Sequence, residues 1–193
     1  MKNTRETILN TAIKLFKNEG YEQVSVNEIC RQCGITKGTF YYHFKSKYDI
    51  VFYYYDQMFH DVSIILPDII TLKSAREKLW KVYEYSIDIT ISLSPSLLRS
   101  LIIEDALHND LRYFSPYRTQ NAGFFHRSYS HMILDLIRQA QTDREISHNL
   151  DPEGAFKAYT AAIIGVALDW SCCGGKYDEK ERLKEIFDTI FHR

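Results

Sequence analysis

Between Ser25 and Lys47 the chain reads SVNEICRQCGITKGTFYYHFKSK, a run in which hydroxyls, phenols, an imidazole and cations alternate with well-spaced glycines. This is not a set for breaking bonds. It is a set of donors, acceptors and flat rings suited to the surface of a nucleic acid. Lys37 suits a base edge or a phosphate. Thr36 and Thr39 suit phosphates, bases or the thymine methyl. Tyr41, Tyr42 and His43 are long, polar-tipped arms, and Gly38 removes a side chain where a backbone must come close. Ser25, with the free N–H groups behind it, offers a phosphate site at a helix N-terminus, and Lys47 adds a cation. Phe40 and Phe44, four apart, face the other way as anchors. A plain three-helix core would need Phe40 and Phe44 but has no room for Tyr41, Tyr42 and His43 as well. The spacing therefore predicts a helix-turn-helix whose second helix enters the major groove of DNA.

The elements that position this set follow from local signals. Ile8, Ala12, Leu15 and Phe16 fall at helical spacing over residues 4–19, and Gly20 closes that helix. Ser25-x-x-Glu28 is a capping box, with Val24 and Ile29 as its hydrophobic staple. Gly34 stops the second helix, and Thr36 N-caps a third over Lys37 to Phe44. Ser46-x-x-Asp49 opens a fourth, expected to run to about Leu66 and to end at Pro67. Further helices are expected near 73–93, 95–109, 117–141, 152–171 and 178–192. Pro95, Pro116 and Pro152 stand at their starts, and Asp151 and Asp178 are N-caps. No segment alternates with period two for long, so the fold class is all-α. Residues 1–47 form an N-terminal three-helix helix-turn-helix unit, and residues 48–193 a larger helical domain.

Composition sets limits on function. The 193 residues are 45% hydrophobic and 25% charged, with a net charge of −1. Residues 1–50 carry +3 and the remainder −4, so the positive end coincides with the motif, as phosphate contact requires. No apolar run approaches the ~20 residues that cross a membrane, and MKNTRETILN lacks the pattern of a signal peptide. A cytoplasmic location without membrane contact is expected. Cys30 and Cys33 share a helix face beside Ile29 and read as small core residues, and no Cys/His pair has ligand spacing. His126 and His131 are five apart, off the i, i+4 spacing of a shared face. Neither metal nor cofactor is expected. No Gly-rich phosphate loop, nucleophile elbow or HExxH pattern occurs. The nearest approach to an acid/base cluster is Glu104-Asp105 beside His108, where Glu104 and His108 read as a surface pair. No enzyme is expected.

Residues 5–52 strongly resemble the TetR family of transcriptional regulators. The likeness lies in Gly20-Tyr21, Ser25-Val26-x-x-Ile29, Gly34-Ile35-x-Lys37-Gly38-Thr39-Phe40-Tyr41-x-x-Phe44 and Lys45-Ser46-Lys47. The family often has alanine at the places of Cys30 and Cys33, which again makes them core. The resemblance implies a homodimer whose C-terminal domain binds a small-molecule effector and carries the dimer interface. It implies a sequence-specific regulator, in the family's majority a repressor, on a near-palindromic double-stranded DNA operator. For the interface the apolar faces of the last two helices supply Phe156, Tyr159, Ile163, Val166, Leu183, Ile186, Phe187 and Ile190, with small Ala158, Ala161 and Gly165 allowing close approach. For the effector pocket the expected walls are Phe59, Trp80, Tyr83, Ile87, Ile103, Leu107, Phe124, Phe125 and Trp170. The alternative is a DNA-binding scaffold or co-regulator whose C-terminal domain holds a protein partner and no small molecule.

Overall fold

The computed structural model describes residues 4–59, 62–109 and 124–193, apart from the side chains of 58, 59, 62, 63, 108, 109 and 124–128. The regular elements among the described residues are all helical: α1 (Thr4–Glu19), α2 (Val26–Cys33), α3 (Lys37–His43), α4 (Lys47–Phe59), a 3₁₀ turn (Val62–Ile65), α5 (Leu66–Thr71), α6 (Ala75–Ser92), α7 (Pro95–Asn109), α8 (Phe124–Thr142), α9 (Pro152–Cys172) and α10 (Glu179–Ile190). The architecture is an N-terminal helix-turn-helix on a larger helical domain.

The caps explain most boundaries. Ser25 Oγ accepts from Glu28 N at 3.1 Å, and Thr36 Oγ1 from Thr39 N at 3.2 Å. Asp151 receives Glu153 N and Gly154 N, and Asp178 receives Glu181 N, each satisfying orphan donors of a helix start. Gly34 ends α2 at φ 65°, a left-handed conformation that favours glycine. The expected single helix to Leu66 is corrected: α4 ends at Phe59, and Pro67 sits in the first turn of α5. Proline lacks only an N–H that a first turn leaves unpaired, so it starts this helix rather than ending the previous one. The helix expected from 117 is described from Phe124 on; Pro116 and residues 117–123 lie outside the described residues.

Two large apolar clusters and a small third one of Ile87, Val166 and Leu183 organise the packing. One gathers Ile8, Phe16, Ile29, Phe40 and Phe44 and continues without a break through Tyr48, Ile50 and Val51 to Leu97, Leu98, Leu101, Ile102 and Trp170. The packing thus has no gap at residue 47, because α4 lies against α1 on one side and α6 and α7 on the other. The second cluster joins α6, α8, α9 and α10. Its centre is Tyr159, whose ring lies 4.4 Å from Tyr83, 5.7 Å from Phe187 and 5.8 Å from Phe191. Among the described residues, no single helix is long and apolar enough to cross a membrane.

Candidate nucleic-acid interface

Helix α3 is set by its buried side. Phe40 is fully buried and Phe44 nearly so, with ring centroids 6.4 Å apart, which seats α3 on α1 and α2. The opposite side is then forced outward. Tyr42 is 85% exposed and Tyr41 53%, both among the large exposed aromatics of the described residues. Tyr42 meets His43 edge to face at 5.0 Å, which stiffens both. Thr36, Lys37 and Gly38 are exposed, and Thr39 half-buried. A Cβ on Gly38 would meet nothing nearer than Thr36 Oγ1 at 3.7 Å. The chain's own packing therefore does not require glycine there.

The flanking residues divide into free and committed groups. Ser25 is exposed at the start of α2, and its hydroxyl proton remains available beyond the capping bond. Arg31 is not free: its guanidinium makes a bidentate pair with Glu28 at 2.6 and 2.9 Å, and Gln32 joins the same carboxylate. Those hydrogen bonds, the Arg31 bond first, hold the Glu28 carboxyl below the usual carboxylate range. Lys47, expected to be able to pair with a phosphate, is also tied to the fold. It is half-buried, donates to Tyr21 O at 2.8 Å and lies 4.4 Å from the centre of the Tyr21 ring. Burial lowers its pKa. One of its three donors is thus committed to bracing the fold, leaving two for a phosphate.

The structure brings Ser25, Thr36, Lys37, Gly38, Thr39, Tyr41, Tyr42 and His43 into one short stretch with an exposed side. It does not do the same for the expected effector pocket. Tyr83, Ile87 and Trp170 are buried, but in three separate clusters, and Trp80 lies on Phe187 at 5.2 Å. Ile103 and Leu107 face outward, 46% and 72% exposed, because the inner side of α7 is already filled by Leu97, Leu98, Leu101 and Ile102. The side chains of Phe59, Phe124 and Phe125 lie outside the described residues. The polar interior was missed by the sequence reading. Ser86 is paired with Tyr129, Thr90 is buried four residues on, and the buried Tyr83 hydroxyl has no hydrogen-bond partner among the described residues. Ser86 and Thr90, four apart beside Tyr83 and Ile87, were the available signal.

Five of the eight expected interface residues lie in the chain's own core. Tyr159, Leu183 and Phe187 are fully buried within one chain, and Phe156 and Val166 nearly so. They are core, because α9 and α10 turn these faces to each other and to the rest of the domain. Tyr159 even donates its hydroxyl to Leu183 O at 2.9 Å. Ile163, Ile186 and Ile190 remain half-buried. Among the residues that α9 presents outward are Ala158, Ala161, Gly165 and Leu168. The four cysteines are free, and among the described residues no three potential metal ligands gather.

An N-capped α2, a glycine turn and an α3 with an outward row of polar and aromatic side chains define a helix-turn-helix DNA-binding protein. Residues 8–54 match the family model of "Bacterial regulatory proteins, tetR family". The chain resembles the TetR family of transcriptional regulators through this N-terminal DNA-binding unit. It is similar to an HTH-type transcriptional regulator of Staphylococcus aureus strain MRSA252, 26% identical over 177 residues, covering 87% of this chain and 94% of that protein. Among solved structures it is similar to FadR of Bacillus subtilis in complex with stearoyl-CoA (22% identity, TM-score 0.61, 96% of this chain and 97% of that one). It is also similar to FadR of Thermus thermophilus, a TetR-family repressor in complex with lauroyl-CoA (18% identity, TM-score 0.65, 96% and 92%). The two structures share the fold over nearly the whole chain.

Proposed function

We propose that the chain is a homodimeric, effector-responsive repressor that reads a near-palindromic operator with α3. Residues 1–47 present the DNA surface, and residues 48–193 hold the effector and the second copy. The observation that carries the reading is the outward row of α3, above all Tyr42 at 85% exposure beside a Lys37 with open approach. Two such helices in successive major grooves stand roughly 34–36 Å apart. An effector that favours a different separation lowers DNA affinity by the coupling free energy, about 1–3 kcal/mol. Acyl-CoA thioesters are the first compounds to try, since two solved relatives of this fold were captured with them.

Two substitutions test the DNA surface. Lys37→Ala should reduce the slope of log affinity against log salt by about one, as loss of one phosphate contact does. Tyr42→Ala should weaken binding by roughly 1 kcal/mol, about fivefold, with the slope unchanged, because a neutral donor releases no counterion. Parental salt curves and affinities for both would remove α3 from the interface.

The dimer is proposed on the outward stripe of α9. Ala158, Ala161, Gly165 and Leu168 recur every three or four residues and let two helices approach closely, with Ile186 and Ile190 of α10 half-exposed. Ala161→Glu should place like charges in that contact and shift sedimentation at micromolar protein from dimer to monomer. A parental dimer in this variant would move the interface elsewhere.

A further inference from the structure

Glu104-Asp105, the acidic pair to which neither catalysis nor DNA contact gives a task, lies where α7 meets the root of the recognition helix. Asp105 is wholly buried and accepts the Tyr48 hydroxyl at 3.0 Å, across 57 positions of sequence. Its neighbour Glu104 is close enough for its charge to act on both the Tyr21 phenol and the Lys47 ammonium. Lys47 and Tyr48 are the first two residues of α4. That turn is therefore held from two sides, by the Tyr21 carbonyl through Lys47 and by α7 through Tyr48.

The link from this turn to α3 is short and pinned. Only residues 44–46 intervene. Phe44 is buried, Lys45 N donates to Asp49 Oδ2 at 2.7 Å, and Asp49 N donates to Ser46 Oγ at 3.1 Å. A rotation of the first turn of α4 has no slack to disappear into and must move α3. The surrounding seam is apolar, made of Ile50 and Val51 with Leu97, Leu98, Leu101 and Ile102. Apolar burial is non-directional, whereas a hydrogen bond fixes an angle, and a buried carboxylate parts from a donor only at a cost.

We propose that Asp105 is a positioning residue for DNA recognition: through Tyr48 it sets the angle at which α7 holds α4, and so the pose of α3. The proposal rests on the DNA-reading role given above. It concerns the orientation of α3 and not the stability of the seam, so its mark is a change in discrimination between DNA sequences.

The test uses the full chain, an operator fragment recovered by selection and a random duplex of equal length. The double variant Tyr48→Phe with Asp105→Leu removes both ends of the bond at similar volume. Asp105→Asn keeps an acceptor for the Tyr48 hydroxyl. The double variant should melt cooperatively and bind the random duplex with parental affinity and salt slope, yet lose about tenfold in operator preference. Asp105→Asn should retain that preference within about twofold. A role confined to stability would shift the melting temperature and leave the operator-to-random ratio alone. Parental preference in the double variant overturns the proposal, as does an Asp105→Asn variant as impaired as the double. If the double variant does not fold, Tyr48→Phe alone is read by the same ratio. A parent with no operator preference at all overturns the DNA reading itself and the proposal with it.

Discussion

Phe40→Ala is expected to abolish operator binding while leaving the C-terminal helices folded. Phe40 is fully buried and is the only side chain of α3 that is. Removing a buried phenyl ring costs about 3–5 kcal/mol, part transfer and part cavity. A unit built on α1 to α3 has few other residues to carry that loss, so the expected result is local unfolding rather than collapse of the whole chain. The second cluster, centred on Tyr159, contains no residue of α1 to α3. Hydrogen exchange should therefore show lost protection over residues 4–43 and retained protection in α6, α8, α9 and α10. Loss of protection across all of them would mean that the two clusters unfold as one. Intact protection and parental operator binding would mean that Phe40 does not seat the recognition helix.

Glu179→Gln is expected to stabilise the protein at alkaline pH and to flatten its pH dependence. Glu179 begins α10 with its side chain almost wholly buried, and neither carboxylate oxygen has a hydrogen-bond partner among the described residues. Burial pushes its pKa up from 4.5 to about 7. The nearby Thr90 hydroxyl, whose own bond goes to Ile87 O at 2.7 Å, acts the other way and is outweighed. The folded state thus holds the proton more tightly than the unfolded chain. Below about pH 4.5 both states are neutral at this position and no penalty exists. Between pH 4.5 and 7 the unfolded chain loses the proton first, and stability falls as pH rises. Above pH 7 the full penalty stands. At 1.36 kcal/mol per unit the shift amounts to about 3 kcal/mol, and the helix N-terminus offsets about 0.3–1 of it by favouring the anion. Glutamine should therefore raise the melting temperature at pH 8, at fixed protein concentration, by roughly 5–10 °C and leave it nearly unchanged at pH 4.5. Equal melting temperatures for the two proteins at pH 8 would contradict the buried, unpaired carboxyl.

The helix-turn-helix was legible because its determinants are local. Ser25, Thr36 and Gly34 each act on backbone groups within five residues, and Phe40 with Phe44 marks the inner side of a single helix. The helices beyond it were legible as elements but not as faces. In α7 the run PSLLRSLIIEDALHN spreads apolar and polar residues over all its sides, so no periodicity told that Leu101 and Ile102 turn inward while Ile103 and Leu107 turn out. The same ambiguity made Tyr159 look like an interface residue, although the small residues Ala158, Ala161 and Gly165, which turn outward, were read as allowing close approach. Pro67 illustrates a different limit: the signal that ends one helix is the signal that begins another. Contacts such as Lys47 to Tyr21 and Tyr48 to Asp105 span 26 and 57 residues, and only the assembled fold brings them together.

The central claim is that two copies of α3 read DNA sequence. Its most direct test is selection of bound fragments from random duplex DNA by the purified protein at near-physiological salt. The expected result is recovery of an inverted repeat whose half-sites are centred about one helical turn apart, or a multiple of it. Recovery of fragments with no shared sequence, bound with an affinity that simply falls with salt, would contradict it.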